Sequence, residues 1–517
     1  MRRALAVFGA LAVVMLAIGV AEKPRATQGD AVVASVATNQ TDVLAKMPDA
    51  AASPPFVQAA PGSRVDALRQ LRARDFPSLT RLVEAKEVRA EADVQHEDDL
   101  TRVVNAFNVA DPALTRLLDE WVASNPESYA PWLARAQHLI AMAYDLRGGN
   151  YRNETSNQQI RDMDEVLRKA IADACEALKR NAKLTHAYVL LMVMARTKGD
   201  QQACLGLADR AFAFAPASYA VRSGVAYCLL PRWGGSYGAL EAFAKASQAH
   251  VFENARLKAL LGFVDWDRGR VAVQDQHYDQ AVSLFTHALE AGDHWQFYES
   301  RADAESRQRR YTDALADVAN ALALRPEEPD VLVLRARVLA ALGRRRDALP
   351  DITLVAELDP KNKDLAWLRT SEVKAAVSYG RQLLDTNDVS AALERFNWGM
   401  QLGGESADLL FWRGRAYLKR NEHERALQDF EAALALDPRN VESYRNIDWL
   451  LAHRGRWDDI IGHWSKYIAL EPLNGEAYLE RGGAYHHKGD ESAARADVAK
   501  ACGLGTQRAC EPMATLR

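Results

Sequence analysis

Two stretches of the chain place unusual side chains close together. His486-His487, with Asp490 and Glu491 nearby, are metal-capable groups. Adjacent histidines point to different faces of a helix, unlike the i, i+4 pair of a helical metal site, so a solvated turn accounts for them better. The turn Trp233-Gly234-Gly235-Ser236 is the second. Two glycines permit positive φ and close backbone approach, and exposed N–H groups beside an aromatic could hold a carboxylate or a sugar ring. The alternative is a tight helix-to-helix turn with Trp233 packed under a neighbouring element, the commoner use of such an aromatic. No Gly-x4-Gly-Lys-Ser/Thr, Gly-x-Ser-x-Gly, His-Glu-x-x-His or Cys-x-x-Cys pattern occurs. The 69 Asp and Glu are too many for any two to mark a general acid and base. No catalytic, cofactor or metal residue is therefore assigned.

Cysteine chemistry depends on the compartment. Met1-Arg2-Arg3 precedes an uncharged stretch from Ala4 to Ala21, and Gly19-Val20-Ala21 supplies small residues at a cleavage site. This reads as an export signal cut after Ala21. The other reading is a retained anchor, since eighteen helical residues reach about 27 Å. Export implies oxidising conditions, under which Cys502 and Cys510 could close a small loop and Cys204 could bridge Cys228; packed free thiols are the alternative for each pair. Cys175 is then expected as a buried apolar residue.

The elements holding these groups are helical. Lys+Arg of 65 against Asp+Glu of 69 gives a net charge of −4, with 48% hydrophobic residues; this excludes global disorder and disfavours a polybasic nucleic-acid binder. Only 29 Gly and 18 Pro in 517 residues suit long helices better than many short strands. The fold expected is all-α.

Self-similarity refines that reading. Ala314 to Ala348 is 34 residues, Ala392 to Ala426 is 34 and Ala426 to Ala494 is 68, with Ile460 at the intervening position. Pro326, Pro360, Pro438 and Pro472 fall in the same frame, and Ala336, Gly380, Gly414 and Gly482 mark a second small-residue position. Small residues let paired helices approach, and proline ends the second helix because it cannot continue the hydrogen-bond ladder. Tyr478 to Tyr485 and Ala426 to Pro438 carry the pattern most fully, and the period resembles the tetratricopeptide repeat family. Repeats are placed near 262–293, 295–328, 329–362, 373–406, 407–440, 441–474 and 475–508. In the sixth of these, Asp448 and Ile460 stand at usually small positions. Between Ala348 and Ala392 the step is 44, so ten extra residues enter around Asn362 to Glu372. They lengthen a helix or insert a short one, as a recognition feature or as an irregular joint between stacks.

Residues 62 to 250 also show helical spacing, as in Asp66 to Arg74 and Ala113 to Trp121. Leu230-Pro231-Arg232-Trp233-Gly234-Gly235-Ser236-Tyr237 followed by Glu241-Ala242-Phe243-Ala244 resembles the domain of unknown function 4034 family. That resemblance implies a helical module of exported bacterial proteins and no chemistry. The organisation expected is a signal or anchor at 1–21, a flexible linker at 22–61, a helical domain at 62–250, a repeat array at 262–508 and a tail at 509–517.

The repeat resemblance implies a right-handed α-solenoid whose first helices line a concave face, with the ninth position looking inward. Those positions read Asp303, Arg337, Arg381, Arg415 and Trp449, with Arg445 a turn from Trp449. Arginine forks bind carboxylates and stack on aromatic rings, so the stripe could hold an acidic or extended peptide. The alternative is a solvated face with pairs such as Arg337 to Asp330 and Arg381 to Asp385. The Lys at position five and Asn at position nine of the family's carboxylate clamp are absent. The function expected is a non-enzymatic protein-binding scaffold at the bacterial cell envelope, in the periplasm or on the extracytoplasmic face of the inner membrane. It needs no cofactor or nucleic acid and meets membrane only through a retained N-terminal helix. The alternatives are a small-molecule or glycan binder using the N-terminal module and Trp233, and a hydrolase on a helical scaffold.

Overall fold

The computed structural model describes residues 62–148, 155–403 and 406–510. The export segment 1–21, the linker 22–61 and the end of the 509–517 tail lie outside the described residues. Among the described residues the regular structure is helical throughout, with no strand, and no helix is long and apolar enough to cross a membrane.

Among the described residues ten α-helices come first: α1 (Arg64–Arg72), α2 (Phe76–Ala92), α3 (Glu97–Val104), α4 (Pro112–Ser124), α5 (Tyr129–Arg147), α6 (Asn157–Arg180), α7 (Thr185–Thr197), α8 (Gln201–Phe212), α9 (Tyr219–Cys228) and α10 (Tyr237–Ser247). Most start at a Ser or Asp whose side chain accepts a hydrogen bond from an otherwise orphaned backbone N–H. At α6, Ser156 and Gln159 form a reciprocal capping box. Seven helix pairs follow: α11 (Phe263–Gln274) with α12 (Tyr278–Ala291), α13 (Trp295–Arg307) with α14 (Tyr311–Leu324), α15 (Pro329–Ala341) with α16 (Arg345–Leu358), α17 (Lys363–Asp385) with α18 (Val389–Gln401), α19 (Ala407–Lys419) with α20 (His423–Leu436), α21 (Val441–Ala452) with α22 (Trp457–Leu470), and α23 (Gly475–Lys488) with α24 (Glu491–Gly503).

Most pairs are joined at a small residue of the first helix. A Cβ on Gly269 or Gly414 would stand 2.6 or 2.8 Å from the rings of Phe285 and Phe430, and Gly380 is as tight against Phe396. In each case the aromatic lies sixteen residues further on, so only a glycine lets the second helix close over the first. A second contact of the same span braces the pairs. Arg301 with Asp317, Arg335 with Asp351, Arg413 with Asp429 and Arg481 with Asp497 make bidentate hydrogen bonds of 2.6 to 2.8 Å. In the fourth pair the equivalent residues are Tyr379 and Arg395, with the guanidinium 5.5 Å from the ring centroid. The turns inside the pairs share one feature: Gln276, Arg309, Gly343, Asn387, Asn421, Gly455 and Gly489 all take positive φ. Four of these seven are not glycine and so carry the left-handed penalty, roughly 1–2 kcal/mol each.

The ten extra residues lengthen a helix. They form one continuous α17 of 23 residues, where α15 and α19 have 13.

The described chain falls into two compact units that divide inside α17, at Leu365 and Ala366. The first unit holds the ten leading helices together with three helix pairs. Arg64 at the start of α1 bonds Glu327 and Glu328, Arg69 pairs with Glu357, and Asp98 on α3 pairs with Arg325 at 2.9 Å. The second unit holds the remainder, around a core that includes Trp464, Phe430, Tyr444 and Ile447.

Disulfides join Cys204 to Cys228, linking α8 and α9, and Cys502 to Cys510 after α24. Cys175 corrects expectation: it is exposed, not buried. Its neighbour Ala174 points into the core, and the 100° helical step carries Cys175 onto the outer face of α6.

The small-residue contact makes a paired prediction. Gly414→Val should destabilise the second unit by roughly 1–3 kcal/mol through overpacking against Phe430. Gly483→Ala, where a Cβ meets nothing within 4 Å, should be neutral or stabilising by up to about 1 kcal/mol. Urea unfolding followed by circular dichroism reads both.

Candidate functional site

The long helix α17 lines a concavity of the second unit. Residues along one of its faces, with Gly403, Ser406 and Asp408, enclose a groove of about 790 Å³. Val373 and Val377 supply its apolar floor, Arg369, Lys374 and Arg381 its basic side chains, and Asp385 and Asp408 its acidic ones. Beside it, the Trp412 ring is clasped by two guanidiniums, Arg381 at 4.5 Å and Arg415 at 5.1 Å from the centroid. Both arginines are exposed. The anticipated Arg381 to Asp385 pair does not form, and Arg381 makes no ion pair among the described residues. Trp449 is 49% exposed and flanked by the rings of His423 and His453, while Arg445 is bound to Glu442 and lies 3.5 Å from Glu480.

Arg337 belongs to the first unit and is spent there. It pairs with Asp303, the ninth-position residue of the preceding pair, and Asp303 also takes Arg307 at 2.7 Å. The intrahelical pair with Asp330 is not made. Around them the face is acidic. Burial, reinforced by Asp303, pushes Glu299 up to about 7. Burial and then Glu328 push Asp330 to about 8, and burial raises Asp364. Of the arginine stripe, then, Arg381 and Arg415 are the members left free of carboxylates.

Sequence reading missed Trp412, Arg369 and Lys374. Trp412 stands three residues before Arg415 on the same helix, a spacing that could have found it. Arg369 lies inside the ten-residue surplus and Lys374 just beyond it.

Also unforeseen was a buried polar knot in the first unit. The Glu97 carboxylate sits at the N-terminus of α9, accepting from Ser218 Oγ and the Tyr219 N–H at 2.7 Å, from Ala220 N–H at 3.3 Å and from Asn254 Nδ2 at 3.1 Å. A negative group at a helix N-terminus satisfies orphaned donors and opposes the dipole. Burial opposes ionisation of the adjacent Asp98, but Arg325, Arg256 and Arg102 outweigh it and hold its carboxyl below the usual range. Burial, with help from Arg325, lowers His186 to about 4 and His294 to about 3, keeping both neutral.

The Trp233 turn is closed on itself. The N–H groups of Trp233 and Gly235 bond Leu230 O, and that of Gly234 bonds Pro231 O. The backbone N–H groups of Trp233, Gly234 and Gly235 are therefore spent within the turn and are not the exposed donors that the ligand-cradle reading of these residues invoked. Gly234 is needed for its φ of +91°, and a Cβ on Gly235 would overlap the Leu229 carbonyl. Trp233 is half-buried, with the Arg196 guanidinium 5.3 Å from its ring. His486 pairs with Glu491 at 2.6 Å while His487 stacks on Trp457, so the two histidines do diverge. No group of metal-capable side chains occurs among the described residues.

The sixth helix pair replaces the glycine–phenylalanine contact. At its small position stands Asp448, whose Oδ2 accepts a hydrogen bond from Nε1 of the fully buried Trp464, again sixteen residues on. Burial pushes Asp448 up to about 7. Ile460, the other irregular residue, fills the core beside it.

Family comparison agrees with the geometry. Residues 407–440 match a tetratricopeptide repeat model, and 267–329, 299–363 and 449–509 match a second one. The helix pairs within these spans match tetratricopeptide repeats, and the fourth pair, α17 with α18, lies between them. Residues 67–203 match the domain of unknown function DUF4034. Among curated proteins, sperm-associated antigen 1 of Mus musculus is 30% identical over 154 residues, 29% of this chain and 17% of that protein. The DnaJ protein P58IPK homolog A of Oryza sativa subsp. japonica is 27% identical, covering 32% of this chain and 36% of its own. The chain thus spans well under half the length of these relatives. Among solved structures, the P58(IPK) TPR domain is 15% identical, covers 68% of this chain and 97% of its own, and has a TM-score of 0.23. YrrB, described as a TPR protein with an unusual peptide-binding site, is 19% identical, covers 36% and 92%, and also scores 0.23.

Asp448 makes a pH prediction. Its folded value near 7 lies above the unfolded carboxylate range, so folding binds a proton between the two. The stability this group contributes is full below the unfolded value and lost as pH rises through about 7. Asp448→Asn should therefore gain melting temperature relative to the unmodified protein as pH rises from 5 to 8 and level off above that. Thermal melts at stepped pH read the difference.

Proposed function

We propose that this protein is a non-enzymatic scaffold whose second unit binds an extended segment of a protein partner. A stacked repeat buries a continuous core and leaves one side-chain face of its first helices open, so binding is its natural use. The observation that carries the reading is the pair of exposed guanidiniums, Arg381 and Arg415, packed on the half-buried Trp412 ring, with Arg381 also lining the α17 groove. Guanidiniums stacked on a ring keep their N–H edges free to fork onto carboxylates, which suits a partner segment carrying acidic residues.

Crosslinking and affinity capture from native cells with the full-length tagged chain tests this. A specific partner should be recovered with the unmodified protein and reduced at least tenfold by Arg381→Glu with Arg415→Glu. Arg337→Glu, removing an arginine already held by Asp303, should leave capture intact. Recovery unchanged by the double reversal would defeat the assignment.

The proposed location is outside the cytoplasm, in the periplasm or at the extracytoplasmic face of the inner membrane. The basic and apolar pattern of residues 1–21 and the two disulfides, which persist in oxidising compartments, support this. An alkaline phosphatase fusion after residue 61 should be active in a bacterial host and become inactive when Met1 to Ala21 are deleted. Equal activity of both fusions would refute export.

A further inference from the structure

We infer that Trp449, together with the space beside Gly483, anchors an aromatic side chain of the bound segment, three residues along from the acidic residue that Arg415 takes. This rests on the reading of the second unit as a peptide-binding face and goes on to name the segment's aromatic residue and its spacing. The helices α17, α19, α21 and α23 open consecutive pairs, and Arg381, Arg415, Trp449 and Gly483 hold the same position on each, 34 residues apart. Side chains near this level meet across neighbouring pairs. Arg381 and Arg415 share the Trp412 ring, and Arg445, one turn before Trp449, lies 3.5 Å from Glu480, three residues before Gly483. From α17 to α23 the line therefore reads cation, cation, indole and no side chain.

Trp449 is the unusual member. Trp464 in the same pair is fully buried, whereas Trp449 is 49% exposed. Its ring leans toward the preceding pair, meeting His423 at 75°, and meets His453 of its own helix at 53°, so neither ring lies parallel over the indole. In the next pair, a Cβ added to the exposed Gly483 would meet nothing within 4 Å, which leaves room for a ring. Covering the indole removes apolar surface from water, and ring pairs gain further from offset or edge contact. Charge selects nothing here, because Arg445 is already bound to Glu442 and close to Glu480. Arg381 and Arg415 are exposed without an ion pair among the described residues, so that part of the line takes carboxylates.

Helix packing sets the ligand's spacing. Neighbouring helices lie about 9 Å apart, and a polyproline II strand, at about 3.1 Å per residue and three residues per turn, returns a side chain to the same face about every 9 Å. A segment crossing the helices in that conformation presents every third residue to the line, so the matching pattern is acidic, acidic and aromatic at steps of three. Two carboxylates of the nearby groove stand off the line. Asp408 is seven residues before Arg415, about 10 Å along the helix, and Asp385 is four residues beyond Arg381, about 6 Å along it.

Fluorescein-labelled peptides titrated into the full-length chain test this by anisotropy. The parent peptide carries two aspartates and a tryptophan at steps of three among alanine and proline, and is made in both chain directions. Its controls replace the tryptophan by alanine, replace it by arginine, or move it by one residue. In one direction the parent should bind about tenfold more tightly than all three controls. Trp449→Ala, and Gly483→Leu, which fills the space beside the indole, should each bring the parent down to the alanine peptide while leaving the alanine peptide's own binding unchanged, a readout that a damaged fold would not give. Equal binding of the parent and the alanine peptide overturns the anchor, as does tighter binding of the arginine peptide or insensitivity of the parent to Trp449→Ala. If peptides that bind equally are still lost with Arg381→Glu and Arg415→Glu, the peptide-binding face stands without the anchor. Binding of no peptide also overturns the anchor, and the partner capture assay then judges the scaffold reading on its own.

Discussion

The closest approach of two helices at one residue governs this molecule. In the glycine-bearing pairs a side chain of the second helix stands over a position sixteen residues earlier, and the small residue there decides how near the helices lie. Gly269, Gly380 and Gly414 under phenylalanine rings, and Ala302 and Ala336 buried completely, set that distance pair by pair. The arginine–aspartate braces span the same sixteen residues and are satisfied only at the separation that the small residue permits. Asp448 shows that the contact can be rebuilt with different chemistry: an aspartate is accommodated because the aromatic opposite is a tryptophan with an N–H to give it.

With the apolar side of each first helix committed to its partner, the other side carries the chemistry. In the first unit that side is acidic and inward-paired, and Arg337 is consumed by Asp303. In the second unit it is basic and aromatic, with Arg381, Trp412 and Arg415 stacked and α17 extended beside them. The buried Glu97 and Asp98 serve another purpose. They hold α3 to α9, to Asn254 and to Arg325, so that the leading helices and the first three pairs are one compact body. The compact units therefore divide inside α17 and not between residues 250 and 262, where the helical domain was expected to give way to the repeat array.

Much of this was legible in the chain. The 34-residue period, the small positions, the prolines and the ten-residue surplus all located helix pairs, because each pair is closed by contacts spanning about sixteen residues and leaves a local imprint. The left-handed turn residues Arg309, Asn387 and Asn421 carried a weaker signal, since none of them is glycine. Arg381 and Arg415 could be found from register alone. That Arg337 was spent, that Cys175 faced outward and that the Trp233 turn had used its own N–H groups could not.

The sequence by itself determined the helices, their pairing and the residues presented on each face, because those follow from side-chain size and spacing within one repeat. Only the tertiary structure decided which of the presented charges remain available. An arginine's partner sits on the next repeat, as Asp303 does for Arg337 at a distance of 34 residues, or on another part of the chain, as Asp98 does for Arg325 across 227. Electrostatic attraction depends on separation in space and on burial, and neither is written in the spacing of residues along a chain.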